Sequence, residues 1–179
     1  CGIGMGTALS LNGATSHAFA HIIYKSLLFM SVGSVLFRTG TAKITDLGGL
    51  YKSMPLTCAF CLIGAASISA FPLFSGFVTK AMVVQASALG GLALVYVLLQ
   101  LASAGVFEHA GIKVPFFTFF GQDSGLRVKD PPLNMLFGMG IMAFLCIFIG
   151  LYPYPLYQLL PYPVDFDAYT APHVIESLQ

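Results

Sequence analysis

The sequence predicts an all-α protein that crosses a membrane several times. Of its 179 residues, 57% are hydrophobic and only 8% are charged, whereas soluble domains carry about 25% charged residues. Apolar stretches of about 20 residues recur between short polar segments, which is the pattern of transmembrane helices. A net charge of +1 without basic runs argues against a nucleic-acid-binding protein.

Hydropathy predicts an initial stub and then four complete spans. The stub, residues 1–11, reads as the end of a helix already under way, and the chain begins with Cys1 rather than Met. We therefore expect a fragment of a longer protein. The predicted spans and the polar, Pro- and Tyr-rich tail that follows them cover residues 14–37, 56–87, 91–107, 133–152 and 153–179.

The second span is too long for one straight helix, and the sequence FPLFSG lies in its middle, at 71–76. Proline removes a backbone donor, and glycine relaxes the backbone. We predict a discontinuous helix with halves near 56–70 and 76–87. Inside a membrane such a break is tolerated only where protein or a water-filled cavity satisfies the freed backbone groups, and in transporters it often lies beside the ion path.

Four ionisable side chains inside the predicted spans are the candidate site. His17, His21 and Lys25 recur every fourth residue in the first span, which places them on one face of a helix. Lys80 follows the predicted break by four residues. Such groups are costly in a bilayer and usually mark proton or ion paths. Successive members of the row are about 5.4 Å apart along the axis, so bridging waters would complete a relay.

Other interpretations of these residues stay open. The histidines could cap or cross-link neighbouring helices, and Lys80 could reach a surface. A zinc metalloprotease centre at His17 and His21 is improbable, because Ala18 stands where that motif requires Glu. The pair Cys58 and Cys61 lies in an apolar helical run, where small packing residues are expected. We expect no metal and no bound cofactor.

The charged residues outside the spans predict an orientation. Lys and Arg follow the first and third spans, so the positive-inside rule places the loops 38–55 and 108–132 in the cytoplasm. Glu108 and His109 mark the expected end of the third span. The tail carries acidic residues and no Lys or Arg, which places it outside unless it re-enters the membrane.

An ordered set of motifs within about residues 10–85 resembles the antiporter-like subunits. That family includes the L, M and N proton-pumping subunits of respiratory complex I, the A and D subunits of Mrp-type cation/proton antiporters, and hydrogenase membrane subunits. The motifs are His17-x-x-x-His21-x-x-x-Lys25-x-Leu27-Leu28-Phe29, Leu47-Gly48-Gly49-Leu50, Met54-Pro55-Leu56-Thr57 and Ser67-Ile68-Ser69-Ala70-Phe71-Pro72-Leu73-Phe74-Ser75-Gly76-Phe77-Val78-x-Lys80.

The resemblance implies a fold of about fourteen membrane helices with two inverted repeats, each containing one discontinuous helix. This chain would hold most of the second repeat. His17, His21 and Lys25 match the central hydrated axis of the family, and Lys80 matches the exit-side lysine of its second broken helix. The residues of the first repeat lie outside this sequence, so the chain by itself is not expected to transport.

Three functions follow as expectations. The leading one is proton translocation in a multi-subunit Na+/H+ antiporter of the cell inner membrane, closest to the Mrp-type D subunit, with other membrane subunits as partners. The alternative is a proton-pumping subunit of NADH-quinone oxidoreductase (complex I) or of a membrane-bound hydrogenase. The sequence has no quinone, flavin or iron–sulfur motif, so redox chemistry would belong to partner subunits. The third is a purely structural role in a membrane complex.

Overall fold

A computed structural model of the chain describes residues 1–178, with all side chains except those at positions 176 and 178. Within this range the regular structure is entirely helical, which confirms the predicted fold class. The helices are α1 (Gly2–Met5), α2 (Ala8–Thr39), α3 (Pro55–Ile68), α4 (Ser75–Leu89), α5 (Ala93–Phe120), α6 (Leu133–Leu151), α7 (Tyr154–Tyr157) and α8 (Ala171–Leu178). Three of them, α2, α5 and α6, are long and apolar enough to cross a bilayer.

The central element is α2, which contacts α1, α3, α4 and α6. It begins at Ala8, six residues before the predicted span. The predicted stub at 1–11 is therefore too long, because the separate helix before α2 ends at Met5. Gly6 ends α1 in the left-handed conformation (φ 67°), and Thr7 starts α2. The Thr7 hydroxyl accepts the N–H of Ser10, and the Ser10 hydroxyl accepts the N–H of Thr7. This reciprocal cap satisfies donors that a new helix leaves unpaired.

The discontinuous helix consists of α3 and α4, separated by residues 69–74. Ala70 and Leu73 have left-handed φ angles of 56° and 77°, a conformation that is uncommon for residues with a side chain. The break is closed by contact between the two helix ends, because the hydroxyls of Ser67 and Ser75 lie 3.0 Å apart. A β-carbon on Gly76 would overlap the Ser67 carbonyl, so this approach requires glycine.

The helix α5 runs further than the sequence suggested. Its α-helical part, Ala93–Val106, continues through two π-helical stretches, Phe107–Lys113 and Phe116–Phe120. The span predicted at 91–107 is therefore too short, and a loop at 108–132 is wrong for its first thirteen residues. Glu108 and His109 are exposed on the surface of α5. Charged side chains in such positions leave the backbone hydrogen bonds of the helix intact, so they do not end it.

A short ion cluster organises the connection between α5 and α6. Both terminal nitrogens of Arg127 donate to the carboxylate of Asp123, at 2.9 and 2.7 Å, and the N–H of Gly125 donates to it at 2.9 Å. These hydrogen bonds hold the pKa of Asp123 well below its usual range. A second carboxylate, Asp130, accepts the N–H and the hydroxyl of Thr57 at 3.0 and 2.7 Å, and so caps the start of α3.

The tail packs onto the bundle instead of extending away from it. The side chain of Asn12 exchanges two hydrogen bonds with the backbone of Tyr162, at 2.9 and 3.1 Å. The Tyr169 hydroxyl donates to the carbonyl of Gly150 at the end of α6, and its ring lies 5.1 Å from that of Phe77 in α4. The segment beyond α6 is therefore attached to both α2 and the broken helix.

We predict that Gly76→Ala destabilises the protein by about 1–3 kcal/mol, because a methyl group must force the ends of α3 and α4 apart. Thermal unfolding in detergent measures the change. Gly105→Ala is the matched control, since that glycine lies in α5 with open space around it, and there alanine is the better helix former. Equal melting temperatures for Gly76→Ala and the wild type would contradict the close contact.

We predict that Asp130→Ala lowers the stability by about 0.5–2 kcal/mol, because the first turn of α3 loses the acceptor for its backbone donors. The same unfolding assay applies. Asp46→Ala removes an exposed carboxylate that accepts a hydrogen bond from the hydroxyl of its neighbour Thr45, and it should leave the melting temperature unchanged. A loss of similar size in both variants would point to net charge and not to the cap.

Candidate functional site

Close packing of α2 on α4 positions the candidate site. The face of α2 that meets α4 carries small buried residues, among them Gly13 and Ser16. A β-carbon on Gly13 would lie 2.9 Å from the side chain of Val83. Small residues allow helix backbones to approach closely in membranes. This approach brings the N-terminal half of α2 against the first turns of α4.

His17 connects the two helices. Its Nδ1 lies 3.1 Å from the hydroxyl of Thr79 in α4, and its Nε2 lies 3.4 Å from the hydroxyl of Tyr24. The Thr79 hydroxyl also lies 3.3 Å from the Ser75 carbonyl, which can only accept. If Thr79 donates there, it accepts from Nδ1–H of His17, and Nε2 is left to accept from Tyr24. A neutral imidazole protonated on Nδ1 satisfies all three contacts.

Lys80 lies beside this contact. It follows Thr79 in the first turns of α4, is half-buried, and is close enough to His17 for their charges to interact. The structure therefore brings together two of the four predicted residues, His17 and Lys80, although they are 63 positions apart in the sequence.

His21 and Lys25 lie further around α2 and are both exposed. Four residues advance about 40° beyond a full turn, so each member of the row turns away from α4 relative to the one before. The rings of His17 and His21 are 6.4 Å apart, and the ring of His21 is 5.3 Å from that of Tyr24. The side chains predicted to share one face therefore differ in exposure, since His17 is half-buried and Lys25 is exposed.

Tyr24 and Thr79 belong to the site, although neither was predicted from the sequence. Tyr24 is 1% exposed, and its ring packs edge-on against both histidine rings. Seven residues bring a side chain back to within about 20° of its starting direction, so the spacing from His17 to Tyr24 predicts a shared face more closely than the spacing to Lys25. The sequence feature that could have identified Thr79 as a site residue is its position next to Lys80.

A second group of polar side chains lies under the break. The hydroxyls of Ser67 and Ser75 lie 3.0 Å apart there, and Cys146 in α6 is fully buried. Cys61 is fully buried in an apolar cluster, as a packing residue would be. Among the side chains that the structure describes, no three from His, Cys, Asp or Glu are grouped to hold a metal ion. What the site can do chemically is accept, orient and release protons.

We predict that Thr79→Val changes the protonation pattern of His17, because valine keeps the shape of threonine but removes the acceptor at Nδ1. Nitrogen-15 NMR of histidine-labelled protein measures which ring nitrogen carries the proton. The wild type should show His17 protonated on Nδ1, and Thr79→Val should lose that preference. Thr118→Val, which alters a buried threonine of α5, is the control. An unchanged His17 spectrum in Thr79→Val would contradict the contact.

Several proteins of known sequence or structure are similar to this chain. Residues 1–107 match the family described as NADH:quinone oxidoreductase/Mrp antiporter, TM. Hydrogenase-4 component B of Escherichia coli is 30% identical over 157 residues, which is 81% of this chain and 23% of the relative. The A subunit of the Na(+)/H(+) antiporter of Alkalihalophilus pseudofirmus is 31% identical over 160 residues, covering 82% of this chain and 20% of the relative.

Two solved structures have the same fold. The membrane-bound sulfane sulfur reductase, an archaeal respiratory membrane complex, contains a chain that superposes with a TM-score of 0.80 at 33% identity, over 88% of this chain and 27% of that chain. The Mrp complex from Dietzia sp. DQ12-45-1b contains a chain that superposes with a TM-score of 0.77 at 18% identity, over 87% of this chain and 37% of that chain. At 18% identity this second likeness concerns the fold alone.

This sequence spans about a fifth to a third of the length of the curated relatives it matches. The family match nevertheless covers more than half of the chain, and it includes the row on α2, both halves of the broken helix and Lys80. The resemblance inferred from the motifs is confirmed. The chain belongs to the NADH:quinone oxidoreductase/Mrp antiporter family of membrane proteins.

Proposed function

We propose that this chain forms part of a proton-translocating subunit in a multi-subunit Na+/H+ antiporter. In this proposal His17 and His21 are relay groups, Lys25 is the central proton-accepting group and Lys80 is the exit-side group. The antiporter assignment draws on the similarity to the A subunit of a sodium/proton antiporter. The loops at 40–54 and 121–132 would face the cytoplasm, since they hold the Lys and Arg residues that lie outside the helices.

One observation carries the proposal, namely the contact of His17 with Thr79 next to Lys80. A histidine with different partners on its two ring nitrogens can receive a proton on one and release a proton from the other. His17 has Tyr24 at Nε2 and Thr79 at Nδ1. A proton that arrives from the side of His21 and Tyr24 would therefore leave toward α4 and Lys80.

Each lysine would bind or release a proton when the charge of a neighbouring side chain changes. A second proton on His17 would place a positive charge close to that of Lys80, and the two would repel each other. Each unit of pKa change corresponds to about 1.4 kcal/mol. A proton that enters at His17 would thus favour the release of one from Lys80. Lys25 and His21 are exposed, and an ionisable group inside a membrane requires protein or water around it. We propose that other parts of the complex cover this face of α2.

The second candidate is a proton-pumping subunit of a complex I-like or hydrogenase complex. It is favoured by the similarity to hydrogenase-4 component B and to an archaeal respiratory membrane complex. The proton path would be the same, and redox reactions in partner subunits would drive it. Coupling to sodium or to a redox substrate therefore distinguishes the two candidates.

We predict that Lys25→Ala and Lys80→Ala each lower proton flux by on the order of a hundredfold or more, the scale of a lost proton-transfer group. The assay uses antiporter-deficient vesicles that carry the complex containing this chain. Flux that depends on a sodium gradient supports the antiporter, and flux that requires a redox substrate supports the second candidate.

Lys43→Ala is the matched control, because Lys43 is an exposed lysine in the loop after α2. It should transport at the wild-type rate. Assembly of each variant is followed by copurification of the partner subunits. If Lys25→Ala and Lys80→Ala assemble and transport normally, the relay assignment is wrong and a structural role for the charges remains.

A further inference from the structure

The tail brings to the broken helix a histidine that was not among the predicted site residues. His173 lies in α8 and is half-buried. Phe166 stacks on its ring, with the centroids 5.4 Å apart and the planes at 27°. Tyr169, just before α8, attaches the same segment to α6 and to Phe77. These contacts hold the imidazole of His173 over α4.

His173 and Lys80 line the same small cavity between α4, α5 and α8. Its polar walls are Lys80, Gln100, His173 and Ser177. The cavity has a volume of about 10 Å³, which is close to the minimum space that one water molecule needs. A buried water typically has two to four polar partners, and these four side chains supply them. A single water in this cavity would connect Lys80 with His173.

The surroundings of His173 suit both of its protonation states. Its Nδ1 lies 3.3 Å from the carbonyl oxygen of Ala168, which can only accept. Its Nε2 lies 3.3 Å from the side-chain amide of Gln85. That amide can turn either its oxygen or its nitrogen toward the ring. Hydrogen bonds to both ring nitrogens are therefore retained whether the imidazole is neutral or carries a second proton.

We propose that His173 exchanges protons with Lys80 and extends the path from α4 to the water around the tail. This inference rests on the proposed function, in which Lys80 is the exit-side group. Nε2 of His173 first exchanges its hydrogen bond with Gln85 for one with the water in the cavity. The ammonium of Lys80 gives a proton to that water, and the water gives a proton to Nε2. Lys80 is then neutral and His173 is an imidazolium, which returns to its neutral form by releasing a proton to solvent water.

Chemical rescue tests this role in vesicles that carry the complex. His173→Ala should lower proton flux by on the order of tenfold or more, and added imidazole should restore most of it, because a free imidazole can occupy the vacated space and carry the proton. His173→Gln, which keeps a hydrogen-bonding side chain near Gln85 but cannot carry a proton, should be as slow as His173→Ala. His109→Gln alters an exposed histidine of α5 and should transport normally.

Two results would overturn the inference. One is wild-type flux in both His173 variants, and the other is a loss of flux that imidazole does not restore, which indicates that His173 only docks the tail. Lys80→Ala in the same assay separates this inference from the proposed function. If Lys80→Ala is inactive and the His173 variants are normal, only the role of His173 fails. If all of them transport normally, the proposed function fails as well.

Discussion

The interruption between α3 and α4 governs how the surrounding segments are arranged. Backbone groups released by a broken helix cannot stay unpaired in an apolar environment, so other parts of the chain must come to them. Ser67 and Ser75 meet across the gap, and the end of α6 approaches so closely that a β-carbon on Gly150 would overlap the carbonyl of Leu73. The Tyr169 hydroxyl donates to the carbonyl of Gly150. These contacts fix where α4 begins.

The start of α4 in turn decides which residues form the site. Because α4 begins at Ser75 and packs against the small residues of α2, Thr79 meets His17 and Lys80 lies next to that contact. Beyond His17 along α2, the side chains of His21 and Lys25 turn progressively away from α4, and both are exposed. An unbroken helix and a broken one thus meet at a polar contact between His17 and Thr79. The tail then covers the other side of Lys80 and brings His173 to the same cavity.

The fold class and the break were predictable for clear physical reasons. Apolar stretches of membrane length admit few structures other than helices, and Pro72 with Gly76 in one of them predicts an interruption. The helix ends were harder to predict. The cap formed by Thr7 and Ser10 lacks the acidic residue that usually marks it. Glu108 and His109 suggested an early end to α5, whereas exposed charged side chains on a helix surface do not interrupt its backbone hydrogen bonds.

Composition and local spacing were enough to establish a bundle of apolar helices with ionisable groups at His17, His21, Lys25 and Lys80. They suffice because helical periodicity and the free-energy cost of burying a charged side chain are both properties of a single segment. Which of these groups meet is a property of the packed bundle and cannot be obtained from any one segment. The pairing of His17 with Thr79 and Lys80, and the approach of His173, depend on where α4 begins and how closely it packs. Those distances are set by contacts between segments far apart in the chain.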